Sequence, residues 1–163
     1  MRILKLAIIS IVILFLVVFC LSLLIPSHIR ITRAINVYAK RDSVYNDVVN
    51  VKHWKKWNEL VNKPELEKGI VTDSAFISDK LKVHIQNASL DSVITAWTQE
   101  NGNVIHSGYV MIPAGDTTIV QWFFDFYPRW YPWEKLSTLV LDNQLGPAME
   151  KSLGKLKKEI EPH

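Results

Sequence analysis

The chain has 163 residues, 48% of them hydrophobic, with 19 Lys and Arg against 16 Asp and Glu. Two of these bases precede an apolar N-terminal segment, so the rest of the chain is nearly neutral, which argues against a nucleic-acid binder that relies on bulk charge. A single cysteine excludes an internal disulfide framework, and the hydrophobic content argues against disorder.

The first predicted element is a membrane-spanning helix from Leu6 to Ile25, interrupted only by two serines. As a helix these residues rise roughly 30 Å, the hydrocarbon thickness of a bilayer. Pro26 then ends the helix, because proline cannot continue its hydrogen bonding. A cleaved signal peptide is the alternative, but the run is long and no small-residue cleavage site follows it. We therefore expect a transmembrane anchor over 1–26 and one soluble domain over 27–163.

The charges that flank this segment disagree about its orientation. Arg2 and Lys5 favour a cytoplasmic N terminus, whereas four basic residues between positions 30 and 41 favour the opposite under the positive-inside rule. Our prediction is a single-pass membrane protein whose N terminus is inside and whose domain lies outside the cytoplasm.

The soluble part begins with a strand and short helices. Residues 27–37 alternate between apolar and polar side chains, which predicts a strand with one buried face, although Arg33 interrupts the apolar side. Asp42 is placed to cap the next helix, and valines and tryptophans at helical spacing predict one or two short helices over 42–57. The polar stretch 58–69 is predicted to be a loop.

Several strand-like runs separated by turn residues come next. They cover residues 70–77, 80–87, 92–99, 103–112 and 117–127. The dipeptide Asn101-Gly102 is typical of a hairpin, because both residues tolerate positive φ. Connections this short indicate antiparallel neighbours.

The C-terminal segment is predicted to be a long amphipathic helix. Its apolar residues recur at spacings of three and four: Leu145, Met149, Leu153, Leu156 and Ile160. Gly146-Pro147 marks either a kink or a fresh start of the helix. Because such a stripe must be buried and a sheet is the large partner available, we expect an α+β fold with a curved antiparallel sheet around the C-terminal helix.

Several phrases carry a family resemblance by their order along the chain. They are Arg33-Ala34-Ile35-Asn36-Val37, Trp54-Lys55-Lys56-Trp57, Gly115–Trp122, Pro132-Trp133 and Gly146–Leu153. Together they resemble the SRPBCC superfamily of START-like domains, polyketide cyclases/dehydrases and pollen-allergen-like proteins, over most of residues 28–160. The resemblance implies a helix-grip fold, and an anchor before the first strand also occurs in bacterial members. Lys40 replaces a usual proline, and Asn58-Glu59 follows where Pro-Trp is common.

Residues that carry chemistry are sparse. No histidine or cysteine spacing is typical of a metal site, and no phosphate loop or nucleophile motif is present, so we expect no metal and no cofactor. His84 and His106 lie on predicted strands and are the candidate catalytic residues, with Asp125 or Asp73 as the partner acid. A solvent-side or hydrogen-bonded histidine is the commoner role for such positions.

The aromatic residues are more informative, because Trp122, Phe124 and Phe126 alternate and share one face of the last strand. Ten residues are predicted to line a ligand pocket: Trp54, Trp57, Trp97, Tyr109, Met111, Trp122, Phe124, Phe126, Met149 and Leu153. Plain core packing is the alternative for most of them. The concave sheet of the relatives is often incompletely filled, however, and such a cavity would accept an apolar ligand.

A second aromatic group, Trp130, Tyr131 and Trp133, flanks two prolines. These side chains either pack at the rim of the sheet, which we favour, or contact the lipid interface.

Three functions are compatible with these observations. We favour a membrane-anchored, non-enzymatic protein that binds a hydrophobic small molecule or lipid, contacts the bilayer through Leu6 to Ile25 and binds no nucleic acid. The alternatives are a cyclase/dehydratase-like or hydrolase-like enzyme that uses a pocket histidine or acid, and a structural or partner-binding envelope module. The identity of the ligand and the oligomeric state stay open.

Overall fold

The computed structural model describes residues 2–24, 26–138 and 140–161. Ile25, predicted to end the membrane-spanning helix, and His163, predicted to end the domain, lie outside the described residues. The described helices are α1 Arg2–Leu23, α2 Arg41–Val49, α3 Trp54–Trp57, α4 Pro132–Thr138 and α5 Leu141–Ile160. The strands are β1 Ile29–Val37, β2 Ile70–Val71, β3 Ala75–Ile77, β4 Leu81–Ser89, β5 Ser92–Gln99, β6 Val104–Ala114 and β7 Thr117–Phe126.

The N-terminal helix α1 is long and apolar enough to cross a membrane, with a mean hydropathy of 3.2 over Ile3–Leu23. Its side chains are exposed from residue 3 to residue 17. Among the described side chains of α1, Ser22 is buried and Val18 and Phe19 are half-buried, all three in the C-terminal turns. Since α1 contacts α4, this end of the apolar helix lies against the folded domain.

The strands form one antiparallel sheet in the order β1-β7-β6-β5-β4-β3-β2, and α5 packs along its inner face against β1. The predicted α+β architecture of a curved sheet and a long C-terminal helix is confirmed. The hairpin at Asn101-Gly102 is confirmed too: Gly102 has φ 80° and its amide donates to the Gln99 carbonyl at 2.9 Å. The strand expected over 70–77 is instead two short strands, because Thr72 and Ala75 close a turn between them.

The start of α2 differs from the prediction that Asp42 caps it. The helix begins at Arg41, Lys40 occupies the N-cap position without a side-chain cap, and Asp42 lies within the first turn. A carboxylate in the first turn still interacts favourably with the positive end of the helix dipole.

The helix α5 begins at Leu141, before the predicted apolar stripe, and Gly146 and Pro147 lie inside it. Glycine at 146 leaves room for Arg33 of β1, because a Cβ there would overlap the guanidinium group. That guanidinium pairs with Asp142 at 2.9 Å and with Glu150 at 2.7 Å, on either side of Gly146. Arg33 therefore interrupts the apolar side of β1 in order to tie the strand to the helix.

Candidate ligand-binding site

One part of the space between α5 and the inner face of the sheet is filled by aromatic side chains. Four of them are fully buried at 0% exposure and form what we call the aromatic core: Trp54, Trp57, Tyr109 and Trp122. The ring centroids of neighbouring members lie 5.0 to 6.4 Å apart, within the range of favourable aromatic pairs. Because α3 supplies two of the rings and the sheet supplies the other two, the core joins the two layers.

Small polar residues on the inner face of the sheet accept hydrogen bonds from two of the buried indoles. Trp97 Nε1 donates to Thr95 Oγ1 at 3.0 Å, and Trp122 Nε1 donates to Ser107 Oγ at 2.9 Å. Trp57 Nε1 is buried without a hydrogen-bond partner among the residues that the structure describes. Buried polar atoms are normally paired, so the paired indoles have fixed ring positions.

The fully buried Asn58 connects the chain that follows α3 to the aromatic core. Its Nδ2 donates to Tyr109 Oη at 3.3 Å, and its Oδ1 accepts from the Leu60 amide at 3.0 Å. Burial alone raises the pKa of Tyr109 well above its ordinary value, so this phenol stays neutral. The asparagine at which the sequence departs from the usual family phrase therefore has a structural role.

The other part of this space is an open cavity of about 660 Å³. Its lining residues are Leu60, Lys63, Glu65, Leu66, Lys80, Leu81, Trp97, Gln99, Glu100, Asn101, Ile105, Phe124, Phe126, Leu141, Gln144, Leu145 and Ala148. The volume lies within the range of about 300–1,000 Å³ that is usual for small-molecule sites.

The polarity of the lining divides with depth. Every described lining residue that is buried or half-buried is apolar, and every exposed one is polar or charged. Trp97, Phe124 and Phe126 form the wall on the sheet, and Leu145 and Ala148 form the wall on α5. The cavity can therefore enclose the apolar body of a ligand while its polar end remains at the mouth.

Three of the ten predicted pocket residues line this cavity, namely Trp97, Phe124 and Phe126. The other seven are buried around the aromatic core and do not line it: Trp54, Trp57, Tyr109, Met111, Trp122, Met149 and Leu153. The predicted pocket did not include Leu141, Leu145 and Ala148 in the first turns of α5, although Leu145 begins the predicted apolar stripe and Leu141 extends that stripe by one turn toward the N terminus. Their spacing of four and three was the available signal.

The structure does not bring the candidate histidines to the cavity. His84 and His106 are exposed and lie in register with Ala96 on the outer face of the sheet. Of the candidate acids, Asp73 pairs with Lys52 at 2.8 Å. Asp125 also lies on the outer face, opposite His106 in the strand register.

Asp125 does have a histidine partner, but that partner is His28. His28 Nε2 lies 2.9 Å from Asp125 Oδ1, and Arg30 donates to both carboxylate oxygens at 2.7 Å. Hydrogen bonds from Arg30, and secondarily from His28, lower the pKa of Asp125 below its ordinary value. This cluster joins β1 to β7 on the face away from the cavity.

No group of three histidine, cysteine or acidic side chains is gathered as a metal site within residues 2–24, 26–138 and 140–161.

Comparison with known families places the fold in context. The sequence model of a family described as "Polyketide cyclase / dehydrase and lipid transport" matches residues 28–161. None of the curated proteins matches the chain in sequence.

Solved structures share the architecture at low sequence identity. CalU16 from Micromonospora echinospora has a TM-score of 0.57 at 16% identity, covering 82% of this chain and 76% of that one. CV1439 from Chromobacterium violaceum has 0.57 at 13%, covering 85% and 100%. Truncated norcoclaurine synthase from Thalictrum flavum has 0.59 at 14%, covering 83% and 95%. At these identities the likeness shows the fold alone.

Proposed function

Because this chain belongs to the polyketide cyclase / dehydrase and lipid transport family of the SRPBCC superfamily, we propose that residues 27–163 form one domain that binds a hydrophobic small molecule or lipid. The observation that carries the proposal is the division of the lining into an apolar interior and a polar mouth. Apolar surface that leaves water in such a site contributes roughly 25 cal/mol per Å².

A matched pair of substitutions on α5 tests this binding. Ala148 lines the cavity, whereas Asn143 is exposed on the same helix and does not line it. The full chain, purified in mild detergent, should release an apolar molecule on organic extraction and mass spectrometry. Ala148→Trp should lose most of that molecule and Asn143→Trp should keep it, with equal circular dichroism confirming the fold. Equal extracts from all three proteins would contradict the proposal.

The same domain is proposed to be anchored by residues 1–26. Support comes from the length and apolarity of α1, and from Ser22, which is fully buried while the outer turns are exposed. If α1 were removed as a signal peptide, the surface of α4 that it contacts would be left uncovered. Resistance to extraction by alkaline carbonate tests the anchor. A reporter fused after residue 163 tests the proposed side, outside the cytoplasm.

We also propose that binding is non-enzymatic. Among the described residues that line the cavity, the titratable ones are Lys63, Glu65, Lys80 and Glu100, all exposed at the mouth. General acid or base catalysis needs such a group within hydrogen-bond reach of the reacting atom. A ligand whose apolar body fills the interior would present only its polar end to these residues. Recovery of a chemically altered ligand after incubation would contradict this part of the proposal.

A further inference from the structure

The segment between β7 and α5 carries exposed aromatic side chains that the ligand cavity does not use. We call Trp130, Tyr131 and Trp133 the aromatic platform. Trp130 is 66% and Trp133 is 62% exposed. The ring of Tyr131 is stacked on Trp133 at 4.9 Å and tilted against Trp130 at 4.5 Å between centroids. The packing at the sheet rim that the sequence favoured is therefore wrong for the two tryptophans. Large exposed apolar groups in one place indicate a surface that contacts something else.

The position of the platform relative to α1 indicates what that partner is. The platform flanks the start of α4 at Pro132, and α4 is the helix that α1 contacts. The buried and half-buried side chains that the structure describes in α1 lie in its C-terminal turns, which precede the soluble domain. The platform thus lies where the apolar helix ends. Tryptophan and tyrosine are enriched at this depth in membrane proteins because their amphipathic rings suit the headgroup region.

We propose that the aromatic platform docks into the headgroup region of the bilayer that α1 crosses, on the side where the domain lies. This surface goes beyond the ligand cavity and rests on the proposed anchor, whose insertion is tested separately by carbonate extraction. A flexible tether alone would let the domain rotate, whereas α1 and the platform together hold it at two places.

The docking has a consequence for the cavity. The residues from 127 to 140 connect Phe126, at the end of β7, to Leu141, at the start of α5, and both of these line the cavity. Phe126 also pairs with Ile29, the first residue of β1 after the anchor. The platform, the exit of the anchor and one end of the cavity therefore share one end of the sheet. A docked platform turns that end toward the bilayer.

The tryptophans themselves report on the docking. Four of the six are buried, at 0 to 4% exposure, and α1 contains none. The full chain, one copy per lipid nanodisc, should show tryptophan fluorescence that is quenched by phosphatidylcholine brominated near the headgroup. The double variant Trp130→Phe with Trp133→Phe should lose more than half of the quenched fraction.

The control Trp97→Phe separates docking from ligand binding, because Trp97 lines the cavity. If quenching is lost in Trp97→Phe and retained in the double variant, lipid occupies the cavity and the docking proposal is overturned. If the two platform tryptophans are quenched by aqueous acrylamide and not by bromine, docking is again overturned. Protection from acrylamide only when two copies share a nanodisc would assign the platform to a second copy and overturn it as well.

Discussion

The space between α5 and the sheet has a filled part and an open part. Both are bounded by the same sheet, but they differ in the helical side chains that lie opposite it. Around the aromatic core, Trp54 and Trp57 of α3 pack onto Tyr109 and Trp122. At the other end, α5 contributes Leu145 and Ala148 to the wall opposite the sheet, and about 660 Å³ remains open. The side chains of the helices, large on α3 and small at this end of α5, decide where space stays open, because aromatic side chains of the sheet face both parts.

The largest expected effect separates the two parts by stability. Trp122→Ala should lower the free energy of unfolding by about 3–5 kcal/mol, the usual cost of truncating a fully buried tryptophan. Phe126→Ala should cost less than half of that, because its ring is only partly buried and already borders open space. Urea unfolding of the full chain in detergent, followed by circular dichroism, measures both. Equal losses would mean that the cavity end is packed as tightly as the core.

Adjacent residues of α5 sharpen the comparison further. Met149 is 0% exposed in the core, so Met149→Trp should overpack it and cost about 1–3 kcal/mol. Ala148→Trp should change stability by less than about 1 kcal/mol, because the indole enters the cavity. The same unfolding assay compares them. A greater loss for Ala148→Trp would contradict the presence of usable space at that position.

The dependence of stability on acidic pH should show a smaller effect. Glu59, which accepts from Lys155 and Lys151 of α5, has a pKa below its ordinary value, as does Asp125 beside Arg30. A lowered folded pKa gives stability that is present above the ordinary value and is lost as pH falls through the lowered one. Unfolding midpoints should therefore decline below about pH 4. Glu59→Gln and Asp125→Asn should each flatten that decline, and an unchanged slope in both would contradict the ion-pair assignment.

The smallest effect is expected at Gly146, near the cavity end of α5. A Cβ there displaces the flexible end of Arg33, weakening its pairs with Asp142 and Glu150. Alanine in a helix interior regains up to about 1 kcal/mol over glycine. Gly146→Ala should therefore alter the unfolding free energy by less than about 1 kcal/mol in thermal or urea melts. A loss above about 2 kcal/mol would show that the ion pairs of Arg33 contribute more to the free energy of unfolding than their geometry implies.

Sequence periodicity predicted the longer strands of the sheet and the apolar stripe of the last helix, because each depends on local alternation or helical spacing. Periodicity could not show which stretch of the inner face of the sheet is covered by helical side chains. Trp122 and Phe124 are neighbours on one face of β7, yet Trp122 lies in the core and Phe124 at the cavity. Trp57 of α3 packs against Trp122, and alternation along the strand carries no information about such a long-range contact.

The same limit applies to long-range partners. Arg33 broke the apolar pattern of β1 for a reason that lies on α5, more than a hundred residues later. Asp125 was a reasonable candidate for a histidine pair, but on the outer face of the sheet its side chain pairs with His28 and Arg30 rather than with a residue of the cavity. Alternation predicts a face, whereas a partner depends on how the strands and helices are arranged.

The most direct test of the open cavity is photocrosslinking in nanodiscs with a phospholipid that carries a diazirine at the end of its acyl chain. Mass spectrometry of the full chain should locate crosslinks on the apolar lining, at Leu81, Ile105 and Leu145, in addition to α1. Ala148→Trp should remove the lining crosslinks and leave those on α1. Crosslinks confined to α1 and the surface, unchanged by Ala148→Trp, would contradict the proposal that the cavity accepts a hydrophobic ligand such as an acyl chain.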